Sequence, residues 1–222
     1  QVKSYAAQEL TRMHQLVITC SKFSFFLLSI IIIPIIYNID IILKLWLCKV
    51  PEYANDFVCV MLIISLISTL SNPLVISIQA TGNIKKFQIY EGTCLLTILP
   101  LSYLLLYFFD VPPISVFIVN LLVIIVAQVI RVRIVLPRIQ MNIGIYTRKV
   151  VFPTIGTFFI CNILPYTERL FLYQNIYSSL ISVGTSVVYS IIAIFFIGCD
   201  KEERYYLLTK LHVLYGKYFR RV

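Results

Sequence analysis

The residues of this chain able to do chemistry are the polar ones set inside its apolar runs. A polar side chain in hydrocarbon is costly unless protein or water receives it. Between Phe57 and Gln79, the residues Ser65, Ser68, Thr69, Asn72 and Gln79 fall on one stripe, roughly 100° wide at helical pitch. Pro73 lies beside that stripe and predicts a kink that frees backbone carbonyls. Asn120, Gln128 and Arg131 share a face of a later run, and Gln88 and Glu91 stand three apart beside Lys85 and Lys86. Polar faces on three spans suit a helical bundle around a hydrophilic cavity, or the same helices hydrogen-bonded to one another with no cavity. On the cavity alternative, Asn72, Gln79, Gln128 and Arg131 are the lining candidates. Glu91 is the acid nearest a span interior and so the candidate for ion coupling, with pairing to Lys85 or Lys86 as the simpler reading. Lys22 either snorkels its ammonium to the interface or attracts an anionic headgroup, which adds it to the substrate candidates.

Catalytic constellations do not assemble. There is no Ser/His/Asp set, no pair of carboxylates in one span and no phosphate-binding glycine loop. His14 and His212 have no acid or cysteine at ligand spacing, so no metal, cofactor or enzymatic role is assigned. The six cysteines form no CxxC pair and read as small buried hydrophobes. Ser178, Ser182, Ser186 and Ser190 repeat every four residues, a spacing that lets helix backbones approach. Asp40 and Lys44 are placed to pair on one helical face, and Glu168 with Arg169 reads as a solvated pair.

The elements that must position these residues follow from composition. Of 222 residues 59% are apolar and 13% charged, with a mean hydropathy of +0.90. A soluble domain this size cannot cover that much apolar surface, which excludes a soluble enzyme. Six apolar stretches approach or exceed the length that crosses a bilayer: Phe23–Ile39, Phe57–Gln79, Phe87–Phe109, Ile114–Leu136, Val150–Tyr166 and Phe171–Gly198. The fold class is therefore all-α, an integral membrane bundle of six transmembrane helices.

Placing the two ends, the loop at Thr81–Lys86 and the loop after Leu136 on one side, with Arg131 and Arg133 at that end of the fourth span and Glu91 just inside the third, puts 16 of the 19 Lys and Arg there, while the ten acids divide evenly. Only the basic residues are expected to be biased in this way, with the rich side cytoplasmic. The same split explains the net charge of +9 by topology and removes a nucleic-acid partner. Residues 1–198 form the membrane domain and residues 199–222 a cytoplasmic tail. That tail opens with Asp200-Lys-Glu-Glu203, an acidic N-cap with Glu at the third helical position. It continues with Leu207, Leu208, Leu211, Leu214, Tyr215 and Tyr218 on one face, as an amphipathic helix lying on the membrane. The chain opens on Gln1 with no signal-peptide pattern and is read as part of a longer protein.

Several stretches carry a resemblance. In order they are Gln1-Val-Lys-Ser-Tyr-Ala-Ala, Ser21-Lys-Phe-Ser-Phe-Phe-Leu-Leu, Leu45-Trp-Leu-Cys-Lys-Val-Pro-Glu-Tyr53, Pro73-Leu-Val-Ile-Ser-Ile-Gln-Ala-Thr-Gly-Asn-Ile-Lys-Lys-Phe-Gln-Ile89, Leu99-Pro-Leu-Ser-Tyr103 and Gly198-Cys-Asp-Lys-Glu-Glu-Arg204. Together they resemble the flippases of lipid-linked oligosaccharides, the O-antigen and capsule type, within the multidrug/oligosaccharidyl-lipid/polysaccharide exporter superfamily. The stretch from Gln79 to Ile89 is the most specific, and Gly82 in it suits a helix C-cap leading into a basic turn. Cys48 departs from the family, where Gly is usual.

The resemblance implies the last six of fourteen helices in a two-lobe, MATE-like fold whose central cavity lies between lobes. It implies alternating access in a bacterial inner membrane, with a polyisoprenyl-pyrophosphate oligosaccharide carried from the cytoplasmic leaflet to the periplasmic side. Expected partners are that substrate, membrane lipids, the missing N-terminal lobe, and the glycosyltransferases or polymerase of the pathway. The rival expectations are a drug/cation antiporter of the same superfamily, which should carry deep carboxylates, and a non-transporting scaffold or truncated product.

Overall fold

The computed structural model describes residues 10–47, 49–109, 111–171, 175–206 and 208–210. Among them there is no strand, and six helices are long and apolar enough to cross a membrane. The protein is an all-α, multi-pass membrane bundle.

Each span follows from its sequence, with the ends moved by local packing. Helix α1 (Leu10–Tyr37) begins well before the apolar run at Phe23. Its early turns carry Met13 and Val17, which bury against Leu74, Ile78, Val135, Leu136 and Tyr146. The helix ends where the Asn38 side chain donates to the Pro34 carbonyl at 3.0 Å, and α2 (Ile39–Leu47) resumes after that turn. The second span, α3 (Ala54–Ala80), runs unbroken through Pro73. Pro73 does not break the helix into two, and both Pro73 and Leu74 are buried there. Gly82 adopts φ +72° just beyond the end of α3, as its expected role in the basic turn requires.

The third span is broken instead. Helix α4 (Lys85–Leu96) and helix α5 (Ile98–Phe109) meet at Thr97, three residues before Pro100, whose missing N–H cannot serve the Leu96 carbonyl. The fourth span is α6 (Ile114–Arg138). The fifth starts at Ile143, earlier than Val150, with a short α7 (Ile143–Tyr146) capped by the Asn142 side chain, which accepts from Gly144 N–H at 2.7 Å. A wide π-turn at Thr147–Val151 follows and leads into α8 (Phe152–Phe171). The widened turn makes room for the ring of Pro153. The sixth span, α9 (Ile176–Ala193), ends in a second π-turn at Ile194–Gly198.

Packing arranges the spans as a layer whose order differs from the chain. Span three leans chiefly on span four, four on two, two on one, and spans five and six both close on the other flank of span one. Between lipid and protein there is no hydrophobic gain in helix association, so close approach carries it. The serine stripe of α9 serves that end. Ser186 and Ser190 are completely buried, and Cys161 Sγ on α8 sits 3.9 Å from the Ser190 carbonyl. Gly198 lies against Phe26, close enough that a Cβ there would stand 2.7 Å from the Phe26 ring. Span three is the outlier of the layer, with only 6% of its apolar window buried.

After Gly198, residues 201–206 and 208–210 are helical. Leu207, Leu211, Leu214, Tyr215 and Tyr218 of the expected amphipathic tail lie outside the described residues, as do His212 and Cys48.

Candidate functional site

The polar residues of spans two, three and four converge on Arg131. Glu91 is six residues inside α4 and Arg131 seven residues from the end of α6, so both lie about 10 Å from the same end of the bundle at 1.5 Å per residue. One guanidinium nitrogen of Arg131 donates to Glu91 Oε1; the other donates to Ser71 Oγ and to Gln128 Oε1, the latter at 2.7 Å. Ser71 Oγ also donates to Gln128 Oε1 at 2.5 Å. Arg131 is buried and Glu91 half-buried. The network leaves one donor over: Arg131 Nε is buried with no hydrogen-bond partner. A buried charge is tolerated when paired and hydrogen-bonded on its remaining sites, and here that condition is nearly but not wholly met.

This arrangement corrects one expectation and gives Arg131 and Gln128 the interhelical bonding that was one of the two alternatives for them. Glu91 pairs with Arg131 and not with Lys85 or Lys86, because α4 turns its acid toward α6 while the lysines are exposed at its start. Arg131 and Gln128 sit between helices α3 and α6, where their hydrogen bonds join the two spans.

Asn72 and Gln79 are placed differently. Both are exposed on the outer side of α3, together with Ser65. Ser65 and Ser68 return their hydroxyls to carbonyls of their own helix, which makes them tolerable in lipid. The side-chain amides of Asn72 and Gln79, unlike that of Asn162, which donates to the Phe158 carbonyl at 2.7 Å, make no hydrogen bond within the described residues. The structure therefore brings Arg131, Gln128 and Glu91 together and sets Asn72 and Gln79 on an adjoining open face.

Lys22 belongs to another cluster. It does not snorkel: the residue is 0% exposed, and Nζ donates to Glu203 Oε2 at 2.6 Å, with Asp200 Oδ2 at 3.7 Å. The N-cap pattern of the tail explains why these acids are held there. Glu203 Oε2 also accepts the Asp200 backbone N–H at 2.8 Å, closing the first turn. Arg204 in turn donates to the carbonyls of Phe196 and Cys199, at 2.7 and 2.9 Å, which the π-turn leaves open. Burial pushes the Cys199 thiol above its ordinary pKa, and the neighbouring Glu203 adds to the shift.

At the opposite end the expected pairs re-partner. Arg169 lies 3.3 Å from Asp40 Oδ2, and Asn55 donates to Asp40 Oδ1, so Asp40 does not pair with Lys44. Glu168 accepts from Ser182 and Thr185, each at 2.7 Å, and not from Arg169. Asp40, Glu168, Arg169 and Ser182 line a cleft between spans one, five and six. His14 Nε2, by contrast, reaches only the Ile139 carbonyl, at 2.6 Å. Among the described residues no three His, Cys, Asp or Glu gather closely enough to hold a metal ion.

Sequence reasoning missed Ser71, which lies about a quarter-turn off the polar stripe among apolar neighbours. It also missed Glu203 as the partner of Lys22, for which no local signal exists. Comparison with family models, curated proteins and solved structures finds no match to this chain.

Proposed function

We propose that this chain forms one wall of a transporter that moves lipid-linked oligosaccharides across the bacterial inner membrane by alternating access. The observation that carries the reading is the open face of α3, where the Asn72 and Gln79 amides are exposed without a protein partner. An amide facing hydrocarbon costs several kcal/mol by order of magnitude, a cost that applies to Asn72 within the span, while Gln79 stands one residue from the end of α3. That face is therefore built for water, a sugar, or a second polar wall. Behind it, the Glu91–Arg131–Gln128–Ser71 network supplies charge and a spare buried donor at Arg131 Nε. Sugars and phosphates are recognised by such arrays of amide, guanidinium and hydroxyl groups. The motif series from Gln79 to Ile89 adds the resemblance in substrate class.

On this reading the concentration of Lys and Arg at the Arg131 end makes that end cytoplasmic. The sugar and its pyrophosphate enter there, and the lipid chain stays in the bilayer. A second lobe rocks against the α3 face and exposes the sugar to the other side. No bond is made or broken. The drug/cation antiporter alternative gains nothing from the site, because the one acid of the network already has an arginine partner.

Deletion of the gene, with complementation by full-length protein, tests the proposal. The expected result is accumulation of lipid-linked oligosaccharide in the cytoplasmic leaflet and loss of surface glycan, restored by the parent and not by R131Q. Intact surface glycan with no accumulating precursor overturns it. Cysteines placed at Asn72 and Gln79 are expected to react with aqueous thiol reagents in the assembled transporter, whereas one at the lipid-facing Leu122 is not.

A further inference from the structure

The basic end carries a second polar feature, separate from the Arg131 network. A cleft of about 440 Å³ opens between the π-turn of span five and the start of the tail, lined by Ile145, Arg148, Lys149, Pro153 and Asp200. Arg148 and Lys149 are exposed, and neither has an ion-pair partner among the described residues. Asp200 is the only acid in the lining. Its carboxylate is shared with Lys22, 3.7 Å away, while Lys22 donates its shorter bond to Glu203. The cleft thus holds two unpaired cations and one carboxylate already drawn toward a third.

The surroundings of this cleft are lipid-facing. Ile145 on its rim is 49% exposed and Phe152, about two turns further into the span, 69% exposed. Cations at the mouth of a span, bordered by exposed apolar side chains, match a phosphate that arrives attached to acyl chains. A guanidinium and an ammonium side by side supply enough donors for its oxygens.

We infer that this cleft binds the phosphate of an anionic lipid headgroup, with Arg148 and Lys149 contacting its oxygens and Asp200 serving as a resident counter-anion that the phosphate displaces. Lys22 stays neutralised by Glu203 during the exchange. The inference stands apart from the transport reading, since any lipid carrying an accessible phosphate satisfies it.

The test uses the full chain in nanodiscs of phosphatidylcholine containing a minor fraction of phosphatidylglycerol, with retained lipid counted by native mass spectrometry. R148Q/K149Q is expected to retain phosphatidylglycerol about thirtyfold less strongly, the effect of two near-surface cations. D200N is expected to retain it more strongly than the parent, a gain that a misfolded protein does not show. R133Q, which removes another exposed arginine, on α6, is expected to behave as the parent. Equal retention by R148Q/K149Q and the parent, an equal fall in R133Q, or a fall in D200N overturns the inference. Displacement of the lipid by millimolar inorganic phosphate overturns its assignment to a lipid and makes the cleft a site for free phosphate.

Discussion

Lys22–Glu203 and Arg131–Glu91 join a cation to a carboxylate at the same end of the bundle, yet they are surrounded in opposite ways. Lys22 is wholly enclosed, its acids come from the first turn of the tail, and the neighbouring side chains include the buried Phe25, Phe26 and Cys199. Arg131 sits among the polar Ser71 and Gln128, and one of its donors has no partner. The first pair closes a gap and leaves nothing to offer. The second borders an exposed polar face and retains unused hydrogen-bonding capacity. Charge alone therefore does not mark a site in a membrane protein; the state of the surrounding donors and acceptors does.

Substitutions divide the two pairs by size of effect. Lys22→Ala should destabilise the chain most, by about 3–5 kcal/mol, since it strands Glu203 beside a closed interior. Thermal unfolding in detergent checks this, and the double variant K22M/E203L should recover most of the loss. Arg131→Gln should cost less, about 2–3 kcal/mol for the charged hydrogen bonds removed, because the glutamine keeps an amide that can still donate to one of the partners. Its larger consequence should be lost transport in the complementation assay. If Arg131→Gln destabilised as much as Lys22→Ala with transport retained in the folded fraction, the contrast between the pairs would fail.

Smaller effects sharpen the same contrast. Gly198→Ala should cost about 1–3 kcal/mol by driving a methyl into Phe26 beside the Lys22 cluster. The same substitution at Gly184, where a Cβ meets nothing within 4 Å, should be neutral or stabilising. Arg169→Gln breaks a half-exposed pair with Asp40 at the other end of the bundle. It should change stability by less than about 1 kcal/mol, and the difference should vanish in high salt.

The sequence displayed those features that depend on neighbours along the chain. Six spans, the Gly82 turn, the serine stripe and the capped start of the tail each arise from residues within one or two helical turns of one another. Partners across helices were hidden. Glu91 has Lys85 and Lys86 one turn away, and only the rotation of α4 against α6 explains why it passes them over. Lys22 and Glu203 stand 181 positions apart. The polar stripe of α3 was visible as a pattern, but its division was not: Ser71 turns inward to Arg131 while Asn72, its immediate neighbour, faces out.

The distance in sequence between Lys22 and Glu203 also sets a clock. Chains grow at roughly 5–20 residues per second, so Lys22 enters the membrane about ten seconds or more before its carboxylate is synthesised. During that interval spans one to four can associate, but the flank of α1 that later receives α8 and α9 carries an uncompensated ammonium. Only a chain translated through Asp200 and Glu203 can meet that ammonium with these carboxylates. A product ending at Gly198 would contain all six spans and still display the unpaired lysine, the kind of defect that membrane quality control is equipped to find.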